Sequence, residues 1–156
     1  MRLLFVCTGN TCRSPLAEAI ARREIIERGL TDVDVSSAGT SAWEGAAASD
    51  GALLVALERS LDLSAHRAQP LTRELVQEND VILAMGPHHR ERAEALGGEG
   101  KTFLLSAFAA NSATDRAVSD PFGGDLENYR ETFSELQSEI RRVFDRLVAE
   151  RTPRAS

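Results

Sequence analysis

Leu3, Leu4, Phe5 and Val6 form an unbroken apolar run that stops at Cys7. A short continuous run closed by a polar Gly-Asn turn predicts a buried strand over residues 2–6. Ser14 then offers an N-cap and Pro15 a first helical position. Leu16, Ala17, Ala19, Ile20 and Ile26 recur at helical spacing, predicting a helix to about Arg28 that Gly29 stops. Residues 33–37 alternate as a second strand. Residues 46–59 predict a helix with Leu53, Leu54 and Leu57 as its apolar stripe. A short helix begins at Thr72, and residues 81–85 read as a third buried strand ended by Gly86-Pro87. Residues 88–96 predict a helix, 97–100 a glycine-rich turn, and 102–104 a fourth strand. No apolar period runs through 109–124, which predicts a long loop of the kind that carries function. The last helix is expected from about Asp125 to Glu150, with Tyr129, Phe133, Leu136, Ile140, Val143, Phe144 and Leu147 on one face.

Strands alternating with helices predict an α/β fold, one parallel sheet with helices on both faces. The 156 residues fit one domain over 1–150, followed by a flexible tail over 151–156. In such sheets ligands sit outside the carboxyl ends of strands. The stretch Cys7-Thr8-Gly9-Asn10-Thr11-Cys12-Arg13-Ser14 occupies that position after the first strand.

This stretch changes the picture from fold to chemistry. A strand, a tight polar loop and a helix start aim backbone N–H groups and the positive helix end at one point, where a phosphate dianion fits. Arg13 adds a planar fork suited to two phosphate oxygens. Cys7 lies beneath that ring of donors, a setting that favours the thiolate. A nucleophile in an anion cradle is equipment for phosphoryl transfer through a cysteinyl-phosphate. Asp120-Pro121-Phe122-Gly123-Gly124 lies in the long loop, and Pro121 holds Asp120 extended. Transfer from a poor leaving group needs a proton donor on the far side from the nucleophile, a role open to Asp120.

Net charge is −6, so nucleic acid is not an expected partner. The N-terminal apolar run is too short for a signal peptide or a membrane span, which points to the cytoplasm and to no membrane association. Two cysteines cannot make a disulfide framework. His88-His89 after Pro87 reads as a surface helix start, so neither a metal nor a cofactor is expected. Cys12, five residues after Cys7, is either a disulfide partner that protects an oxidised Cys7 or a small buried residue.

The stretch from Cys7 to Ser14, continued by Pro15-Leu16-Ala17-Glu18, resembles the signature of the low-molecular-weight protein tyrosine phosphatase family. The Asp120-Pro121 pair and the chain length match in order. The resemblance implies a four-stranded sheet of order 2-1-3-4, with the phosphate-binding loop after strand 1. It implies Cys7 as nucleophile, Arg13 as phosphate ligand and Asp120 as general acid, then as the base that activates water. Thr8, Gly9, Asn10, Thr11, Cys12 and Ser14 line the phosphate loop. Asn10 is implied to pair with Ser37 and His66, and Trp43 and Phe122 to wall the substrate cleft. Phosphorylated proteins are the implied substrates, inorganic phosphate the product, and a monomer the expected state.

Thr11, where tyrosine-specific members carry an aliphatic residue, and Gly123, where many carry a second aromatic, resemble the bacterial protein-arginine phosphatase branch. Phosphoarginine has a P–N bond and a delocalised cationic head, which suit a smaller, more polar pocket. Phosphotyrosine is the alternative substrate. A thiol redox sensor would not need Asp120. An arsenate reductase of this fold would need cysteines beyond Cys12, and none follows it.

Overall fold

The computed structural model describes residues 1–151. The chain runs β1 (Arg2–Cys7), α1 (Arg13–Glu27), β2 (Asp34–Gly39), α2 (Asp50–Glu58), α3 (Arg73–Glu78) and β3 (Val81–Ala84). It continues through α4 (Pro87–Ala93), β4 (Thr102–Leu104), α5 (Leu105–Ala110) and α6 (Leu126–Arg151). Residues 152–156 of the expected tail lie outside the described residues. The four strands form one parallel sheet in the order β2-β1-β3-β4, as the family resemblance implied.

Central β1 is buried on both faces, which is why it reads as an uninterrupted apolar run. Its pleat divides the core. Leu3, Phe5 and Cys7 face a large cluster built from α1, α2, α5 and α6, including Leu16, Phe133 and Phe144. Leu4 and Val6 face a smaller cluster with Leu71, Val76, Ala93 and Leu96 around α3 and α4. The apolar face of α6 is buried as its spacing predicts, from Tyr129 to Leu147. At about 1.5–3 kcal/mol per buried large side chain, this face holds α6 against α1, α2 and α5.

Several expectations need correction. Helix α1 starts at Arg13 rather than after Ser14, with Cys12 as N-cap residue and no side-chain cap. The Ser14 hydroxyl is drawn instead to Cys7 and Asn10. Ile26 is 78 % exposed, because six residues beyond Ile20 it has rotated off the face carrying Leu16, Ala17, Ile20 and Ala21. Helix α2 starts at Asp50, capped by Ser49, whose hydroxyl accepts the Ala52 N–H. It buries Ala52, Val55 and Ala56, while Leu54 and Leu57 are exposed. The Tyr129 ring of α6 packs against its first turn: a Cβ on Gly51 would lie 2.4 Å from that ring, so position 51 has no room for a side chain. Helix α4 ends at Ala93 and passes into a wide turn over Glu94–Gly98, where Gly97 takes a φ of 103°. Helix α5 interrupts the expected loop at its start, ending at Asn111 in a left-handed conformation.

Candidate active site

The loop after β1 is curled by two backbone requirements. Asn10 adopts φ 57°, a left-handed conformation that asparagine tolerates. Gly39, at the carboxyl end of β2, lies so close that a Cβ would sit 2.4 Å from the Thr8 carbonyl oxygen and 2.9 Å from the Asn10 nitrogen. The loop is then tied to its surroundings by Thr40 N–H donating to the Cys7 carbonyl, Ser41 N–H to that of Thr8, and Ser49 N–H to that of Thr11.

Asn10 is fully buried and organises a directional chain of hydrogen bonds. Its Nδ2 donates to Ser14 Oγ at 2.7 Å and to Ser37 Oγ at 2.9 Å. Ser37 passes its own proton to Glu18 Oε1 at 2.8 Å. Because Ser14 Oγ accepts from Asn10, its proton is free for Cys7 Sγ, 2.9 Å away. His66 Nε2 reaches the Asn10 carbonyl at 2.7 Å, and Gln69 N–H donates to Asn10 Oδ1 at 3.0 Å. The effect is a rigid cradle whose inner end presents a donor to the sulfur, a bond that strengthens when the sulfur carries negative charge.

Arg13, 6 % exposed, lies at the helix end of the loop. Its Nη1 donates to the Val118 carbonyl at 3.1 Å, and its Nη2 lies 3.6 Å from Asp120 Oδ2. Asp120 Oδ1 accepts the Phe122 N–H at 3.0 Å, which holds the carboxylate at the turn and its Oδ2 toward Arg13. The loop carrying Asp120 is fastened at its base. Val118 N–H donates to the Met85 carbonyl, and Arg116 pairs with Glu135 and Glu139 of α6. Cys7, Thr8, Gly9, Thr11, Cys12, Arg13, Asp120 and Phe122 together line a cavity of about 190 Å³, small enough for a phosphoryl group and its first substituent.

The family model for low molecular weight phosphotyrosine protein phosphatase matches residues 2–153. The chain belongs to that family. It is 40 % identical over 151 residues to a protein-arginine-phosphatase of Geobacillus stearothermophilus, covering 96 % of this chain and 97 % of the relative. It is 34 % identical over 149 residues to low molecular weight protein-tyrosine phosphatase A of Mycobacterium tuberculosis, covering 93 % and 90 %. Among solved structures, the YwlE arginine phosphatase mutant with a phosphorylated active-site serine superimposes with a TM-score of 0.90. That match is at 37 % identity and covers 97 % of this chain and 98 % of that one. This protein is therefore a cysteine-dependent phosphatase of phosphorylated proteins.

Within this phosphatase the remaining candidates are placed unevenly. Phe122 is on the cavity lining and 74 % exposed. Trp43 is 84 % exposed on the loop after β2 and is not among the lining residues. Cys12 Sγ lies 3.2 Å from Ser49 Oγ and 3.5 Å from the Tyr129 hydroxyl, and both cysteines are free thiols. Burial pushes the Tyr129 hydroxyl pKa up, so it stays protonated.

His89 overturns the reading of His88-His89 as a surface pair. It is fully buried, with Nε2 2.8 Å from Thr8 Oγ1. Burial, then the neighbouring His88 and Arg13, lower its pKa to about 3, against a smaller opposing effect of Asp120. Glu18, Gln69, Ser49 and Tyr129 were also missed. Only for His89 was there a usable signal: it follows Gly86-Pro87 at the carboxyl end of the strand beside β1, where parallel sheets gather their sites.

Proposed function

We propose that this protein hydrolyses phosphoarginine on proteins, with Cys7, Arg13 and Asp120 as its catalytic residues. The observation that carries the reading is the pairing of Thr11 and Asp120 on one small cavity above Cys7. A hydroxyl and a carboxylate there suit a guanidinium head, which an aliphatic side chain at position 11 would crowd and desolvate. Gly123, at φ 78°, adds no second aromatic beside Phe122. The 40 % identical relative named as a protein-arginine-phosphatase supports the same assignment.

In this mechanism the Cys7 thiolate attacks phosphorus while the loop amides and Arg13 bind the three peripheral oxygens. The P–N bond breaks and Asp120 gives its proton to the departing nitrogen. Asp120 then takes a proton from water, which attacks the cysteinyl-phosphate. The S–P bond breaks, the Cys7 thiolate returns under its Ser14 hydrogen bond, and inorganic phosphate leaves. Thr8, Gly9, Asn10, Thr11 and Cys12 contribute the cradle, and Ser37 and His66 hold Asn10. Trp43 and Phe122 guide the substrate chain at the rim. The enzyme works as a cytoplasmic monomer without metal or cofactor, and Cys12 captures an oxidised Cys7 as a disulfide. Among the described residues no helix is long and apolar enough to cross a membrane.

The exposed Phe122 ring favours a second reading, phosphotyrosine, since a flat phenol can stack on it. The deciding experiment compares turnover of two peptides of one sequence, phosphorylated on arginine or on tyrosine. A higher kcat/KM for the arginine peptide is expected. A higher value for the tyrosine peptide overturns the arginine assignment.

A further inference from the structure

His89 stands apart from the Asn10 network. That network supports the phosphate loop from the β2 side, through Ser37, His66 and Gln69. His89 rises from α4 on the β3 side and meets the loop only at the Thr8 hydroxyl, 2.8 Å away. Its other ring nitrogen, Nδ1, is buried with no hydrogen-bond partner. It faces the backbone where the Asp120 loop crosses the end of β3: a Cβ built on Gly86 would lie 3.5 Å from it and 3.6 Å from Ala117 Cβ.

That orphaned nitrogen decides the tautomer. A neutral imidazole carries one proton. On Nδ1 it would be a buried N–H without an acceptor, among the costlier defects a fold can hold. On Nε2 it is used, leaving only a bare lone pair at Nδ1. Nε2 therefore donates to Thr8 Oγ1. A hydroxyl that accepts from His89 keeps its own proton for another acceptor. Thr8 is exposed and lines the cavity above Cys7. The ring stays neutral because burial opposes a second proton, so this polarity persists through neutral pH.

We propose that Thr8 Oγ–H is a hydrogen-bond donor to the phosphoryl group and that His89 is the positioning residue that fixes it as a donor. The cradle would then hold a side-chain donor on the face opposite the Asn10 network, in addition to its amides and Arg13. The inference rests on the phosphatase reading only in that the cavity above Cys7 must bind phosphate. A hydroxyl aimed at a dianion makes a charge-assisted bond.

The test is a double-mutant cycle on Thr8 and His89, read by the Kd for inorganic phosphate and by kcat/KM for p-nitrophenyl phosphate. Thr8→Val keeps the shape and removes the donor. It should weaken phosphate binding roughly tenfold to a hundredfold, the scale for one hydrogen bond to a charged group. His89→Leu should cost part of that in the wild-type background and little in the Thr8→Val background. His89→Gln restores an N–H donor at similar reach and should recover binding relative to His89→Leu, and Thr8→Ser, which keeps the hydroxyl, should recover binding relative to Thr8→Val. Phosphate affinity unchanged in Thr8→Val overturns the proposal. So do losses from Thr8→Val and His89→Leu that simply add, because additivity is the mark of His89 serving only as packing. A wild-type protein that binds phosphate but turns nothing over would refute the phosphatase mechanism, and the cycle on phosphate binding would still decide this inference.

Discussion

The buried imidazole of His89 makes a prediction about acid stability that can be worked through. Its folded pKa is about 3, against 6.5 for the free ring, and burial is the largest cause. Between those values the unfolded chain binds a proton that the folded chain refuses, so acid favours unfolding. The contribution is fully present above about pH 6.5 and is lost as pH falls toward about 3. Linkage over a shift of that size removes up to about 2 kcal/mol between pH 7 and pH 5, and about 1–2 once the His88 and Arg13 effects are discounted for solvent screening. His89→Gln keeps a donor for Thr8 but cannot titrate. At pH 7 it should be less stable than wild type, since Gln fills the site less well. At pH 5 the gap should narrow by about 1–2 kcal/mol, or about 2–8 °C in Tm for a chain of this size. Thermal melts of both proteins at the two pH values measure this directly. Other groups shift both proteins alike and cancel in the difference. A gap that stays constant or widens on acidification would mean that His89 titrates normally in the folded state. That result would also remove the basis for its single neutral tautomer.

Three further outcomes test the catalytic assignments. Cys7→Ser should lose turnover while still binding phosphate; phosphate at a hundredfold over its Kd should stabilise the fold by about 2.7 kcal/mol, seen as a raised Tm. Turnover near the wild-type rate in that variant would sink the cysteinyl-phosphate mechanism. Asp120→Asn should slow hydrolysis by about 10²–10⁴ for leaving groups of high pKa and far less for an activated aryl phosphate; equal losses on both would assign Asp120 a positioning role through Arg13 instead. Thr11→Ile adds bulk and removes a hydroxyl at the cavity lining, and should move the kcat/KM ratio roughly 10–200-fold toward a phosphotyrosine peptide. A ratio that does not move would show that Thr11 does not select the substrate.

The sequence alone determined the features that depend on local pattern. The apolar run of β1, the loop residues from Cys7 to Ser14 and the apolar face of α6 each follow from side-chain spacing. A continuous run buries a strand on both faces, and a regular 3.6-residue stripe has only one face to bury. Asn10 was legible because few residues other than glycine accept its backbone conformation. Features that depend on what lies opposite were decided by the tertiary structure. In α2, Leu54 and Leu57 point outward while Ala52, Val55 and Ala56 are buried, and Tyr129 of α6 fills the space beside Gly51. Nothing within residues 50–58 records that neighbour. The carboxylate of Glu18 and the amide of Gln69 join the cradle only because β2 and the segment after Ala68 are brought beside α1. His89 lies between the two cases: its place after Gly86-Pro87 at a strand's carboxyl end was legible, its burial and its partner were not. Next to His88 in sequence it reads as surface, yet the turn from β3 into α4 buries its ring and brings Nε2 to the Thr8 hydroxyl on the loop after β1. A residue's neighbours along the chain set its backbone, but its partners across the sheet set its charge and its hydrogen bonds.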